Sequence, residues 1–231
     1  MVYVPKITEF DLNVDTAYLT GVIIGDGHIS GDYRSFPPRD EIDPKIAIEG
    51  GNRVFICDEV KPLVDKTILR SCNVTERGSR GINRNPTWVL AFRSKYFHKF
   101  LTEDLGLPKG KKAEKISLRV MLEKIGDRAE VKRALIAGIF DTDGGLRGNS
   151  IGHCTASKSL RDEMIDLLAE NDIAATRSEW VNKRYNKKYY DWRIKRHESI
   201  RSFLEKIPLR NKIRKERIRQ RFCAAPAAKV V

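Results

Sequence analysis

Apolar residues along this chain fall into short periodic runs, punctuated by glycine, proline and charge, and the runs recur in the same order twice. Residues 19–27 (LTGVIIGDG) and 136–144 (IAGIFDTDG) align without a gap, and both end in aspartate-glycine. An extended segment comes next in each half. An amphipathic stretch follows over 54–64 and again over 160–168, with apolar residues near i, i+3, i+4 and i+7. Then come strand pairs, 67–77 with 86–93 and 174–183 with 187–195. Trp88, Leu90 and Phe92 share one side of a strand, as do Tyr190, Trp192 and Ile194. That is the period-2 mark of a sheet with one buried face. Each half closes with a helix and a basic turn, Phe100 and Leu101 leading to Pro108 and Lys112, and Phe203 and Leu204 leading to Pro208 and Lys212. The order predicts an α+β fold of two pseudo-symmetric αββαββ(α) halves, 1–108 and 129–222, with a linker over 109–128 and a tail over 223–231. An insertion over 31–44, carrying Pro37 and Pro38 among charged residues, predicts a long hairpin loop.

The paired segments suit two short helices. Gly21 and Gly25 lie four apart on one face, and Gly138 and Thr142 take the same two places in the second copy. Glycine inside a helix costs ~1 kcal/mol relative to alanine, so its use in both copies calls for close backbone packing. Val22, Ile23, Ile139 and Phe140 would fill the sides of that contact. A parallel pair would bring Asp26 and Asp143 side by side at one end. Two ionised carboxylates at close range raise one another's pKa, and a cation between them lets both stay charged. Mg²⁺ fits, as a hard ion held by carboxylates, water and substrate phosphate oxygens. The helix-end carbonyls of Gly25 and Thr142 could add ligands. Such a centre activates water for phosphodiester hydrolysis. Asp141 has Ile24 as its counterpart and is expected at the helix flank as a hydrogen-bonding residue.

Composition points the same way. Lys and Arg number 44 against 31 Asp and Glu, a formal charge of +13, which favours phosphate-rich partners. The basic residues are spread through the chain, which disfavours a membrane surface, and no apolar run approaches the ~20 residues of a membrane span. The first residues lack a signal-peptide pattern, so an intracellular protein is expected, cytoplasmic if prokaryotic. Cys57, Cys72, Cys154 and Cys223 form no CxxC pair and read as buried small hydrophobes. The four histidines lack metal-ligand spacing.

The duplicated segment and the αββαββα order resemble the LAGLIDADG homing endonucleases in their monomeric double-motif form, over residues 15–220, with the closest likeness to archaeal intron-encoded members. The resemblance implies a site-specific double-strand DNA endonuclease using Mg²⁺, with Mn²⁺ or Ca²⁺ able to substitute in binding. It implies a monomer on a long asymmetric target, with staggered cuts across the minor groove and short 3′ overhangs. It places the metal ligands on Asp26 and Asp143. It points to a lysine after the last helix of each half, Lys111 or Lys112 in the first and Lys212 in the second. Spacing from Pro108 and Pro208 pairs Lys112 with Lys212. Glu49 and Ser157 stand near the polar positions that complete the site in relatives, where glutamine is common.

If the apolar strand faces pack under helices, the opposite faces form a concave DNA-binding saddle. By alternation it presents Ser30, Arg34, Lys45, Arg77, Thr87 and Arg93 from the first half. The second half adds Arg147, Asn149, Arg177, Lys183, Lys187, Tyr189, Arg193 and Lys195. A β-ribbon fits the major groove, where Arg, Lys and Asn read base edges. The basic helical run 212–221 is suited to backbone phosphates. Two rivals share the fold: an RNA-binding intron maturase and a non-catalytic DNA-binding regulator. Keeping both aspartates favours cleavage, without excluding a dual role with intron RNA. A self-splicing element is not expected, since neither end carries the Cys/Ser start or His-Asn finish.

Overall fold

The computed structural model describes residues 7–31, 44–78 and 85–223. Helix α1 spans Val14–Asp26 and begins at a capping box: Asn13 Oδ1 accepts from Thr16 N (3.1 Å) while Thr16 Oγ1 accepts from Asn13 N (2.8 Å). It leads into strands β1 (Gly27–Ile29) and β2 (Lys45–Gly50). A π-helical segment, Phe55–Val60, runs straight into α2 (Lys61–Ile68). Strands β3 (Val74–Arg77) and β4 (Thr87–Arg93) follow, then α3 (Lys95–Lys99) and a second π-helical segment, Phe100–Asp104. Helix α4 (Arg119–Ile125) lies in the connection. The second half repeats the order with α5 (Ala129–Asp143), β5 (Gly145–Leu146), β6 (Ile151–Thr155), α6 (Lys158–Ala169), β7 (Thr176–Asn182), β8 (Lys187–Ile194) and α7 (His197–Lys206), and adds α8 (Lys212–Phe222).

The two antiparallel sheets have matching strand orders, β1-β2-β4-β3 and β5-β6-β8-β7. In the first, Ile46 and Ile48 lie opposite Phe92 and Leu90, all turned to the helices and buried. In the second, Phe140 of α5 packs on Trp192 (6.0 Å) and Phe203 (4.7 Å). The whole stretch from Thr16 to Ile24 is buried, because α1 and α5 pack on each other as the seam between the halves.

Two local expectations need correction, and a third falls outside the described residues. Residues 67–73 are not strand: Val60, Leu63, Val64 and Thr67 continue one buried helical stripe, and the chain turns only at left-handed Leu69 (φ 49°). The Pro37–Pro38 insertion lies outside the described residues apart from its ends. The cysteines are free, and of the four only Cys72 is buried; Cys223 is exposed. Among the described residues no helix is long and apolar enough to cross a membrane.

Candidate active site

Where Gly21 and Gly138 cross, the seam is made of backbone. A methyl added to Gly21 would sit 2.5 Å from the Leu135 carbonyl oxygen, and one added to Gly138 would sit 3.0 Å from Gly21 Cα. Farther along, a methyl on Gly25 would collide with the Thr142 side chain. Gly21 meets Gly138 and Gly25 meets Thr142, so the contact advances in the same direction on both helices and the pair is parallel. Both helices end at their aspartate, with Gly27 and Gly144 as extended C-caps. Asp26 and Asp143 therefore stand together at one end.

Their electrostatics follow from that placement. Burial and the neighbouring Asp143 push the Asp26 carboxyl up to about 6, against the pull of Arg214 and Lys112. Asp143 is more open, and His153 Nε2 lies 3.6 Å from its Oδ2. His153 is buried, and its Nδ1 has no partner. Among the described residues no three His, Cys, Asp or Glu side chains gather to hold a metal alone. A hard cation here would need the two carboxylates, the helix-end carbonyls and oxygens from a substrate. Those donors are all oxygen, which suits Mg²⁺.

Each helix end is also met by one basic side chain. Lys112 Nζ donates to the carbonyls of Ile23, Ile24 (2.8 Å) and Gly25 (3.5 Å), and burial draws its amine down to about 8. On the other helix Arg214 donates to the carbonyls of Phe140 (2.8 Å) and Thr142 (2.9 Å), and burial lowers its pKa too. A carbonyl has two lone pairs, so Gly25 and Thr142 each keep capacity for a further ligand. Lys111 is exposed and Lys112 is the residue at the helix end. Lys212, expected as the partner of Lys112, is instead a surface residue paired with Glu59 (2.9 Å). The reason is local: Asn211 caps α8, and winding into that helix turns Lys212 outward and Arg214 inward. Counting from Pro208 could not show this, because it assumed the same turn in both halves.

Ser157 is corrected as well. It is the buried N-cap of α6 and donates to the Ile116 carbonyl (2.5 Å), so it is not at the carboxylates. The register places Cys154 opposite Asp191 much as Glu49 lies opposite Val89, making Cys154 the counterpart of Glu49. Glu49 does face the Asp26 side, where its charge raises the Asp26 pKa. It accepts from Arg77 (2.6 Å) and Thr87 (2.7 Å).

The outer sheet faces carry half of the residues expected to meet DNA. Lys45 and Arg93 lie directly opposite each other, exposed and outward. Arg77 and Thr87 are outward but engaged by Glu49. Ser30 is corrected: it is buried, with its carbonyl on His98 Nε2 (2.9 Å). Arg34 lies outside the described residues. In the second half Tyr189 stacks on Trp180 (4.9 Å), an exposed outward tryptophan that alternation along β7 could have flagged. Lys187 pairs with Glu114 (2.9 Å), and Arg193 with buried Asp191 (2.8 Å). Arg147, Lys183 and Lys195 are exposed, and Asn149 accepts from Arg221 of α8 (2.9 Å). Arg177 is corrected: it lies opposite inward Trp192, so it faces α6, where its charge acts on Asp162.

Comparisons with known proteins agree with this geometry. Residues 130–208 match the LAGLIDADG-like domain. Over 199 residues, 86% of this chain, the sequence is 32% identical to a protein of Methanocaldococcus jannaschii named replication factor C small subunit. The chain spans about a tenth of that protein's length (10%). Among solved structures, I-DmoI in complex with DNA and Mn superposes with a TM-score of 0.60 at 18% identity, covering 85% of this chain and 97% of that one. The homing endonuclease I-WcaI bound to its DNA recognition sequence superposes at 0.55 and 19%, covering 90% and 88%. Residues 130–208 are thus a LAGLIDADG-like domain, the first half repeats its architecture, and the chain as a whole shares the fold of these two solved structures.

Proposed function

We propose that this chain is a site-specific double-strand DNA endonuclease, hydrolysing one phosphodiester bond in each strand of a long asymmetric target. The observation that carries the reading is the meeting of Asp26 and Asp143 at the ends of two parallel helices joined through Gly21 and Gly138. Asp26, Asp143 and the carbonyls of Gly25 and Thr142 would hold divalent metal. Bound there, Mg²⁺ supplies a water of lowered pKa and a counter-charge for the leaving oxygen. Lys112 Nζ, drawn down to about 8, is the group beside it able to hand on a proton near neutral pH. Arg214 stays protonated and gives a fixed positive field. The outer sheet faces, with Lys45 and Arg93 on one and Tyr189 and Arg193 on the other, would follow the DNA grooves. One chain holds both site halves, so a monomer suffices. Cuts staggered across the minor groove would leave short 3′ overhangs. The likeness to I-DmoI in complex with DNA and with Mn or Ca supports DNA as substrate, and those ions as stand-ins for Mg²⁺.

The deciding experiment incubates the chain with Mg²⁺ and a library of duplex targets, beside Asp26→Asn and Asp143→Asn. Linear product from the unaltered chain, lost in both variants, is expected. Cutting that survives both substitutions overturns the metal-site assignment. Binding to intron RNA with no DNA cut would favour a maturase.

A further inference from the structure

The second motif carries Asp141 where the first carries Ile24, and nothing in the reaction so far uses it. Its side chain is almost fully buried, with Oδ1 unpartnered and Oδ2 densely engaged. Oδ2 accepts from the Tyr18 hydroxyl (2.7 Å), from Arg210 N (2.6 Å) and from Asn211 N (3.1 Å), and the Asp141 carbonyl accepts from Asn211 Nδ2 (3.1 Å). Asn211 then caps α8, its Oδ1 accepting from Arg214 N (3.2 Å). The Arg210 guanidinium lies over the Tyr18 ring (4.3 Å) and reaches Asp15 (2.9 Å). An unbroken chain of contacts thus runs from Asp141 through residues 210–211 to the first turn of α8. There Arg214 reaches the Phe140 and Thr142 carbonyls beside Asp143.

The first half lacks this device. The Ile24 side chain has no polar group to offer, and Lys112 arrives on a turn tied directly to the sheet, with Gly110 N donating to the Ile29 carbonyl (2.8 Å). Carboxylates that hold the backbone around a site act through the groups they orient, and their loss characteristically costs activity without removing a reacting atom. We propose that Asp141 is a positioning residue that sets Arg214 at the Asp143 helix end, so that its loss falls on one DNA strand and spares the other. The inference rests on the nuclease reading above. It adds that the motif's interior aspartate serves one site half only.

The test follows each strand separately, with end-labelled duplex carrying the target, enzyme in excess and Mg²⁺ present. Asp141→Asn keeps the side chain's size. It is expected to slow one strand about 10–100-fold while the other changes less than about threefold. On an Arg214→Ala background the same substitution should cost nothing further, since its effect runs through Arg214. Asn211→Ala enters the path from the α8 side and should slow the same strand, which keeps the test valid if Asp141→Asn fails to fold. Thermal unfolding of each variant separates loss of fold from loss of placement. Equal slowing of both strands overturns the proposal, as does an effect that multiplies with Arg214→Ala. A wild-type chain that cuts neither strand overturns the nuclease reading itself, and this inference with it.

Discussion

Asp26 is the residue whose chemistry and stability pull hardest against each other. In the fold it keeps its proton up to about 6, whereas an ordinary aspartate releases it near 3.8. Its contribution to stability is therefore most favourable below the lower value, falls as pH rises between the two, and stands at its full cost at neutral pH. Asp26→Asn is expected to raise the unfolding free energy at neutral pH by about 1–3 kcal/mol, with the difference vanishing in acid, while abolishing cutting. Denaturant titrations of both proteins at the two pH values check this, and equal stability at neutral pH would sink it. The basic groups give a second test at the same scale. Lys212→Ala removes only a surface ion pair with Glu59 and should leave cutting and the unfolding midpoint unchanged. Arg214→Ala strips two carbonyls of their buried donor, and a single-turnover assay should find cutting slowed at least about tenfold. The reverse ranking would restore Lys212 to the site. Asp26 and Asp143 were legible in the sequence because a repeated motif carries its own register. Arg214 was not, because it reaches the site only after a helix cap rotates the chain. Arg177 was misplaced for a related reason: one step along an edge strand exchanges the two faces.

At the scale of elements, the α1–α5 contact has no side chain to give way where Gly21 meets Gly138. Gly138→Ala would drive a methyl into the Tyr18 carbonyl and toward Gly21 Cα. Overpacking a contact of this kind costs about 1–3 kcal/mol and moves the backbone. The expected outcome is a destabilised protein in which both strands are cut poorly, because the two carboxylates part together. Urea unfolding and strand-resolved cleavage measure the two effects, and a stable variant with unchanged cutting would contradict it. Helices, the second strand pair and the twofold order could be read from periodicity and punctuation. The run at 67–73 could not, since Thr67 and Ile68 suit a strand by composition and are helical here by virtue of the buried stripe they extend.

At the scale of the whole molecule, the charge of +13 comes from residues 109–231, since residues 1–108 carry 14 Lys and Arg against 15 Asp and Glu. If outer faces and α8 neutralise six to ten phosphates, affinity for duplex should fall about 10³–10⁵-fold between roughly 50 and 200 mM salt. Fluorescence anisotropy across that range checks it, and a flat response would argue against a phosphate-tracking surface. The sequence showed this charge but not its arrangement: Glu49, Glu114 and Asp191 each hold a cation that composition alone counts as available.

The pairing of Gly25 with Thr142 bears on how the two copies can drift apart. Glycine can face glycine or threonine across the seam, but the Thr142 side chain fills the space that a methyl on Gly25 would need. Two second halves brought together in this register would set threonine against threonine and collide. Thr142 therefore makes the present pairing one-way at this position: threonine on α5 is matched to glycine on α1, and the two cannot both be threonine in this register.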